Sequence, residues 1–180
     1  MALVASIPAA SGGDVRRAYM SKLFNEVVAG GGPSDIRFAA NIQVEKFAAG
    51  EAVPVFLAGA GDSIVGDWHY VSLLLGRDRA FVVEFQQATQ VGEYPFPSDR
   101  IPPVGPGAWP RIEVRIAGNP PRLSVTLDAG TGPILVVDRG LASPEWSTPR
   151  PPELHLGIGE TYPAAAAWQV RYDDIVVDLK

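Results

Sequence analysis

Glu84 and Gln86 alternate with Phe81, Val83 and Phe85, and Arg111, Glu113 and Arg115 alternate with Ile112, Val114 and Ile116. A strand sends successive side chains to opposite faces, so with the apolar set packed inward these five polar groups must face outward. Guanidinium groups clasp carboxylates through paired hydrogen bonds, and Glu and Gln bond hydroxyls, so such a floor suits a sugar polymer, uronic acids included. The same residues also suit a solvated sheet face stitched by cross-strand charge pairs. Tyr94 and Trp109 join the candidates from the stretch between these segments, where aromatics either meet a ligand or pin a loop to the core.

Hydrolysis of a glycosidic bond needs two carboxyl groups at a fixed separation. Glu84 stands alone in its segment and Glu113 lies between two arginines, so a paired mechanism needs carboxylates brought together from different strands. No catalytic residue is assigned on this ground. Gly61-Asp62-Ser63-Ile64 looks like the nucleophile block of the Gly-Asp-Ser esterases, but neither His69 nor His155 follows an Asp by three residues, and Ser63 reads as a loop serine. The two histidines sit in different segments and read as ordinary strand residues. Asp173, Asp174 and Asp178 could supply oxygens to a structural calcium, although Asp62 and Asp67 form no calcium loop. No other cofactor is expected. Trp168 reads as core rather than as a sugar-stacking platform.

What must position these groups follows from composition. The 180 residues are 47% hydrophobic and 19% charged, which fits one globular domain spanning 1–180 with a sizeable core. Nineteen glycines and 17 prolines imply many turns between short strands. Fifteen basic against 20 acidic residues give a net charge of −5, with no basic stripe to neutralise phosphates, so nucleic acid is not an expected partner. No apolar run is long enough to span a bilayer, and Met1 to Ala10 lacks the basic start of a signal peptide. The absence of cysteine excludes disulfides and thiolate chemistry.

Along the chain, Asp14 to Val28 fits either a helix capped by Asp14 or a strand through Arg17 to Phe24, with the strand preferred. Ile36 to Glu45 alternates cleanly, with Val53 to Ala58 a shorter run after it. Trp68 to Leu75 and Ala80 to Gln86 should pair as a hairpin across Gly76-Arg77-Asp78-Arg79. The proline-rich stretch Gln87 to Pro110 reads as a long crossing loop. Arg111 to Ile116 and Leu123 to Leu127 predict a second hairpin, followed by Ile134 to Val137 and Leu154 to Ile158. A closing strand, Trp168 to Lys180, is expected to be unbroken, central and covered on both faces. Nine or ten short strands make an all-β, two-sheet antiparallel sandwich.

Trp109-Pro-Arg-Ile-Glu-Val-Arg-Ile leading into Leu123-Ser-Val-Thr-Leu-Asp-Ala-Gly, then Glu153-Leu-His-Leu-Gly-Ile-Gly, then Trp168 to Asp178 with its Tyr-Asp-Asp-Ile centre, resemble in order the concanavalin A-like lectin/glucanase jelly rolls, laminin G-like domains included. The resemblance runs from about Arg16 onward. It implies two curved sheets, a concave face that commonly holds saccharide, frequent secretion, and often a structural calcium near the last strand. The Glu-x-Asp-x-(x)-Glu strand motif of the best-known hydrolases of that fold is missing. The expectation is therefore a non-catalytic carbohydrate- or protein-binding module of a secreted or cell-surface protein. The alternative is a polysaccharide-cleaving enzyme of the same fold, a glycoside hydrolase or lyase with an atypical site.

Overall fold

The computed structural model describes residues 2–7, 16–23, 35–46, 53–62, 67–75, 81–87, 90–95, 107–118, 122–140, 152–161 and 167–180. Its elements are all strands: β1 (Leu3–Ile7), β2 (Arg16–Leu23), β3 (Asp35–Lys46), β4 (Val53–Asp62), β5 (Asp67–Leu75), β6 (Phe81–Gln87), β7 (Gln90–Pro95), β8 (Arg111–Ala117), β9 (Arg122–Asp128), β10 (Pro133–Gly140), β11 (Pro152–Thr161) and β12 (Trp168–Leu179). They form two six-stranded sheets, ordered β1-β12-β3-β8-β9-β10 (sheet A) and β2-β11-β4-β5-β6-β7 (sheet B), and every pairing is antiparallel.

Alternation decides what is buried. On β3, β8 and β9 the apolar positions Ile36, Phe38, Ala40, Ile42, Val44, Ile112, Val114, Ile116, Leu123, Val125 and Leu127 all lie in the core. Sheet B meets them with Val55, Phe56, Leu154, Leu156 and Ile158 in the same cluster. Burial of this apolar area is the dominant force holding the sheets face to face. Both hairpins form as expected, β5 with β6 and β8 with β9, and β2 takes the strand reading of its segment.

Three expectations change. First, the stretch Gln87 to Pro110 is not one loop, because Gln90–Pro95 pairs with β6 as β7. β7 is the edge of sheet B, where only one side of the strand needs donors, and its proline is the terminal residue, so proline does not forbid a strand here. Second, Leu3–Ile7 adds an edge strand to sheet A, with Leu3 paired to Tyr172 and Ile7 to Trp168. Third, the closing strand runs unbroken from Trp168 to Leu179 but is bulged and not covered on both faces along its length. Its register slips between Asp173 and Val176, and Asp174 adopts a φ of 48°, a conformation that aspartate tolerates better than most residues. Before this bulge Trp168, Val170 and Tyr172 are buried; beyond it Ile175 and Val177 are 39% and 36% exposed.

A second bulge sits in β4. The register shifts between Pro54 and Phe56, so Val55 has no partner in either neighbouring strand register. Its carbonyl oxygen instead accepts the Tyr172 hydroxyl, which crosses the core from sheet A. At the β9–β10 turn the Asp128 carboxylate accepts the amides of Gly130 (2.7 Å) and Gly132 (3.1 Å), both with positive φ that glycine adopts without strain.

Candidate functional site

The polar residues singled out in the sequence fall on different sheets. Arg111, Glu113 and Arg115 lie on β8 of sheet A, Glu84 and Gln86 on β6 of sheet B, and the sheets share one core between them. They therefore do not form one floor. Tyr94 lies on β7 opposite Val83, one position out of step with Glu84 and so on the other face of sheet B. Trp109 is 39% exposed just ahead of β8, beside a buried Pro110 whose carbonyl accepts the Ile42 amide at 2.9 Å.

On sheet A the outer face is a lattice of ion pairs. Arg37 holds Glu113 at 2.8 Å, Arg115 holds Asp35 through two nitrogens, and Arg171 pairs with Glu45 at 2.9 Å. Arg111 reaches Asp174 at 2.6 Å and Asn41 at 3.3 Å, which ties β8 and β3 to the β12 bulge. Arg122 pairs with Asp138 at 2.6 Å, and Lys180 with Asp178 at 3.0 Å. The hydrogen bond from Arg115 outweighs the opposing cost of burial and, helped by the charges of Arg115, Lys180 and Arg37, holds the Asp35 carboxyl below the usual carboxylate range. Hydrogen bonding to Glu113 raises Arg37, and hydrogen bonding to Asp35 raises Arg115, so both stay cationic. A lowered acid favours the fold above its unfolded value, about pH 4, and that contribution is lost as pH falls through the folded value.

These charges satisfy one another across strands, the arrangement of a solvated face. Replacing Arg111 and Arg115 together by alanine is expected to shift the melting temperature by less than about 4 °C. The shift should shrink further in high salt, because exposed pairs are screened. A loss of cooperative unfolding in the double variant would show that the lattice carries far more of the fold. Among the described residues no group of three or more His, Cys, Asp or Glu side chains is placed to hold a metal ion. The carboxylates of Asp174 and Asp178 pair with Arg111 and Lys180.

Sheet B brings together residues that are scattered in sequence. The registers align Ser21, His155, Leu57, Ser72, Glu84 and Glu93 as one row across β2, β11, β4, β5, β6 and β7. Two residues along, Leu23, Glu153, Gly59, Tyr70, Gln86 and Val91 form a second row on the same face. This face is opposite to that of Leu154, Leu156 and Ile158, whose side chains fill the core. His155 is half-buried, and Ser72, in the middle of the first row, is only 2% exposed. Histidine and glutamate transfer protons near neutral pH, while tyrosine and glutamine bond hydroxyls and tyrosine stacks on sugar rings.

The sequence offers Ser72, Tyr70, Glu153 and Glu93 no place among the candidates, and it reads His155 as an ordinary strand residue. Their adjacency depends on β11 sitting between β2 and β4, which nothing local encodes. Only Glu93 carried a usable signal, the short alternation Gln90-Val-Gly-Glu-Tyr in a stretch otherwise dominated by proline.

No protein-family model matches the chain, and no curated relative does. Solved structures do. An alginate lyase from Pseudomonas aeruginosa superposes with a TM-score of 0.61 at 12% identity, covering 91% of this chain and 74% of its own. Another alginate lyase, of polysaccharide lyase family 7, gives 0.63 at 10% identity, covering 99% of this chain and 80% of its own. Scytalido-glutamic peptidase, crystallised with a peptide-based transition-state analogue, gives 0.54 at 13% identity, covering 93% and 82%. Identities this low speak to fold alone, and the peptidase shows that other chemistries occupy the same frame. The chain is a jelly-roll sandwich of the concanavalin A-like fold.

Proposed function

We propose that the chain is a polysaccharide-cleaving enzyme whose site is the sheet B face carrying His155, Ser72, Glu84 and Glu93 in one row and Glu153, Tyr70 and Gln86 in the next. The observation that carries this reading is the register itself. It assembles proton-transferring and hydroxyl-bonding residue types from four strands on one face, while the polar groups of sheet A are occupied with one another. Alginate lyases of the same fold support it, one of them crystallised in complex with substrate. A flat carbohydrate-binding surface would need neither the buried Ser72 nor a histidine and several carboxyl groups alongside it. Polymers of this class are met outside the cell, so secretion or surface attachment goes with the reading.

The test is turnover. The full chain is incubated with β-glucans, xylans, mannans, alginate and polygalacturonate, while reducing ends and the ultraviolet absorbance of unsaturated products are followed. Sustained release of reducing ends from at least one polymer is expected. Retention of a polymer on the protein without any cleavage would instead establish a binding module.

A further inference from the structure

The outer face of sheet A changes character at the end where β8 begins. Pro110 precedes that strand, yet its carbonyl oxygen accepts the Ile42 amide at 2.9 Å, where the register that sets Asn41 opposite Arg111 places its next pair. One position further, the same register sets Trp109 opposite Gln43. Gln43 lies opposite Arg171 of β12, and Arg171 opposite Val4 of β1, so a row runs Val4, Arg171, Gln43, Trp109 across four strands. The row is on the outer face, because Val170 and Tyr172 beside Arg171, and Ile42 and Val44 beside Gln43, all lie in the core. Its two ends are apolar and open to solvent, with Trp109 39% and Val4 48% exposed.

Neighbouring strands lie about 4.7–4.9 Å apart, so the row spans roughly 14 Å from β1 to β8, enough to underlie several rings of a glycan chain. Asn41 stands two residues from Gln43 on the same face; its carbonyl oxygen accepts Arg111 at 3.3 Å, which leaves its N–H groups as donors. A carboxamide both donates and accepts, as neighbouring hydroxyls on a sugar ring require. An indole lays its apolar face on the C–H groups of such a ring and offers an N–H at its edge. The charges at this end cancel, since Arg171 pairs with Glu45 at 2.9 Å and Arg111 with Asp174 at 2.6 Å. A polyanion would have to displace those carboxylates; an uncharged polyol would not. A protein partner would be met by an apolar patch around the aromatic, whereas the groups nearest Trp109 in register are an amide and an ion-paired arginine.

We propose that this end of sheet A binds an uncharged glycan chain laid across β1, β12, β3 and β8, with Trp109 stacked on one ring and Gln43 and Asn41 bonded to hydroxyls. Sheet B faces the other way beyond a shared core about 10 Å thick, so this surface is separate from the face assigned to cleavage. The inference goes beyond that assignment and stands without it, because holding a polymer needs no turnover. Where cleavage also occurs, a polymer held on sheet A stays at high local concentration for the second face.

The experiment is native electrophoresis of the full chain through gels holding dissolved β-glucan, xylan or galactomannan, with alginate and polygalacturonate run in parallel. Parent, Trp109→Ala, Trp109→Phe and Gln43→Ala are compared. At least one neutral polymer should retard the parent. Trp109→Ala should weaken the apparent Kd about tenfold or more, the effect of truncating an anchoring aromatic. Gln43→Ala should weaken it about threefold, the effect of one hydrogen bond, and Trp109→Phe should fall between parent and alanine, all with circular dichroism unchanged. Should Trp109→Ala fail to fold, Trp109→Phe and Gln43→Ala carry the same test. No retardation by a neutral polymer, retardation by alginate and polygalacturonate alone, or equal retardation of all four proteins would each overturn the inference. Retardation that depends on Trp109 and Gln43, with no polymer cleaved, would support this site and remove the enzymatic reading alone.

Discussion

Trp168→Ala is expected to lower the stability of the fold by about 3–5 kcal/mol, the range for deleting a large buried aromatic. Trp168 heads the fully buried side chains by volume and is 0% exposed at the start of β12, where it shares the core with Val170 and Tyr172. Its removal costs both the transfer of the indole from water and the void left in a core that collapses only in part. For a chain of this length such a loss is a fall in Tm of roughly 6–20 °C. Urea unfolding of Trp168→Ala beside Trp168→Phe reads the effect, and the phenylalanine should recover a good part of it. A change under about 1 kcal/mol for the alanine would mean that Trp168 is not packed between the sheets.

Tyr172→Phe isolates a single hydroxyl. The bulge at Val55 leaves a carbonyl outside the strand ladders, the Tyr172 hydroxyl donates to it from the opposite sheet, and both residues are 0% exposed. Phenylalanine fills the same space and strands that oxygen, at a cost of about 1–3 kcal/mol. Burial also pushes the Tyr172 hydroxyl far above its ordinary range. A group whose folded value is raised contributes its full stability below the unfolded value, about pH 10, and loses it as pH climbs toward the folded value. The parent should therefore unfold on raising the pH above about 10, and Tyr172→Phe should flatten that limb while starting from a lower plateau. Identical alkaline limbs in the two proteins would assign the transition to other groups.

Much of the sandwich was legible because one face of an antiparallel strand is core and the other is wet. Ile36 to Glu45, Ile112 to Ile116 and Leu123 to Leu127 display that period openly, and the turn at Gly76-Arg77-Asp78-Arg79 places its hairpin. β7 was hidden because proline speaks against a strand unless the strand is known to be an edge. The β12 bulge was hidden because Ile175-Val-Val177 looks like a continuing apolar run, and only the observed φ of Asp174 shows where the register breaks. The candidate site was the least legible part. Glu84 stands out in the sequence, but Glu93, opposite it in register, lies in a stretch whose prolines read as loop. His155 falls in the same row, three strands away, only through the order of the strands in the sheet, which is a property of the whole chain.

The placement of β12 bears on how the chain reaches this state at all. Leu3 pairs with Tyr172 and Ile36 with Leu179, so sheet A cannot complete its middle until residues made late have joined residues made early. Loop-closure entropy must be met before such distant pairings return any stabilisation, which places the protein among slow folders, on the millisecond-to-second scale or beyond. During synthesis β3 waits with one flank unpaired and with Phe38, Ile42 and Val44 uncovered, a surface open to strand-to-strand association with other nascent copies. Yield on expression should therefore depend on temperature and chaperone supply more than the stability of the finished sandwich would suggest.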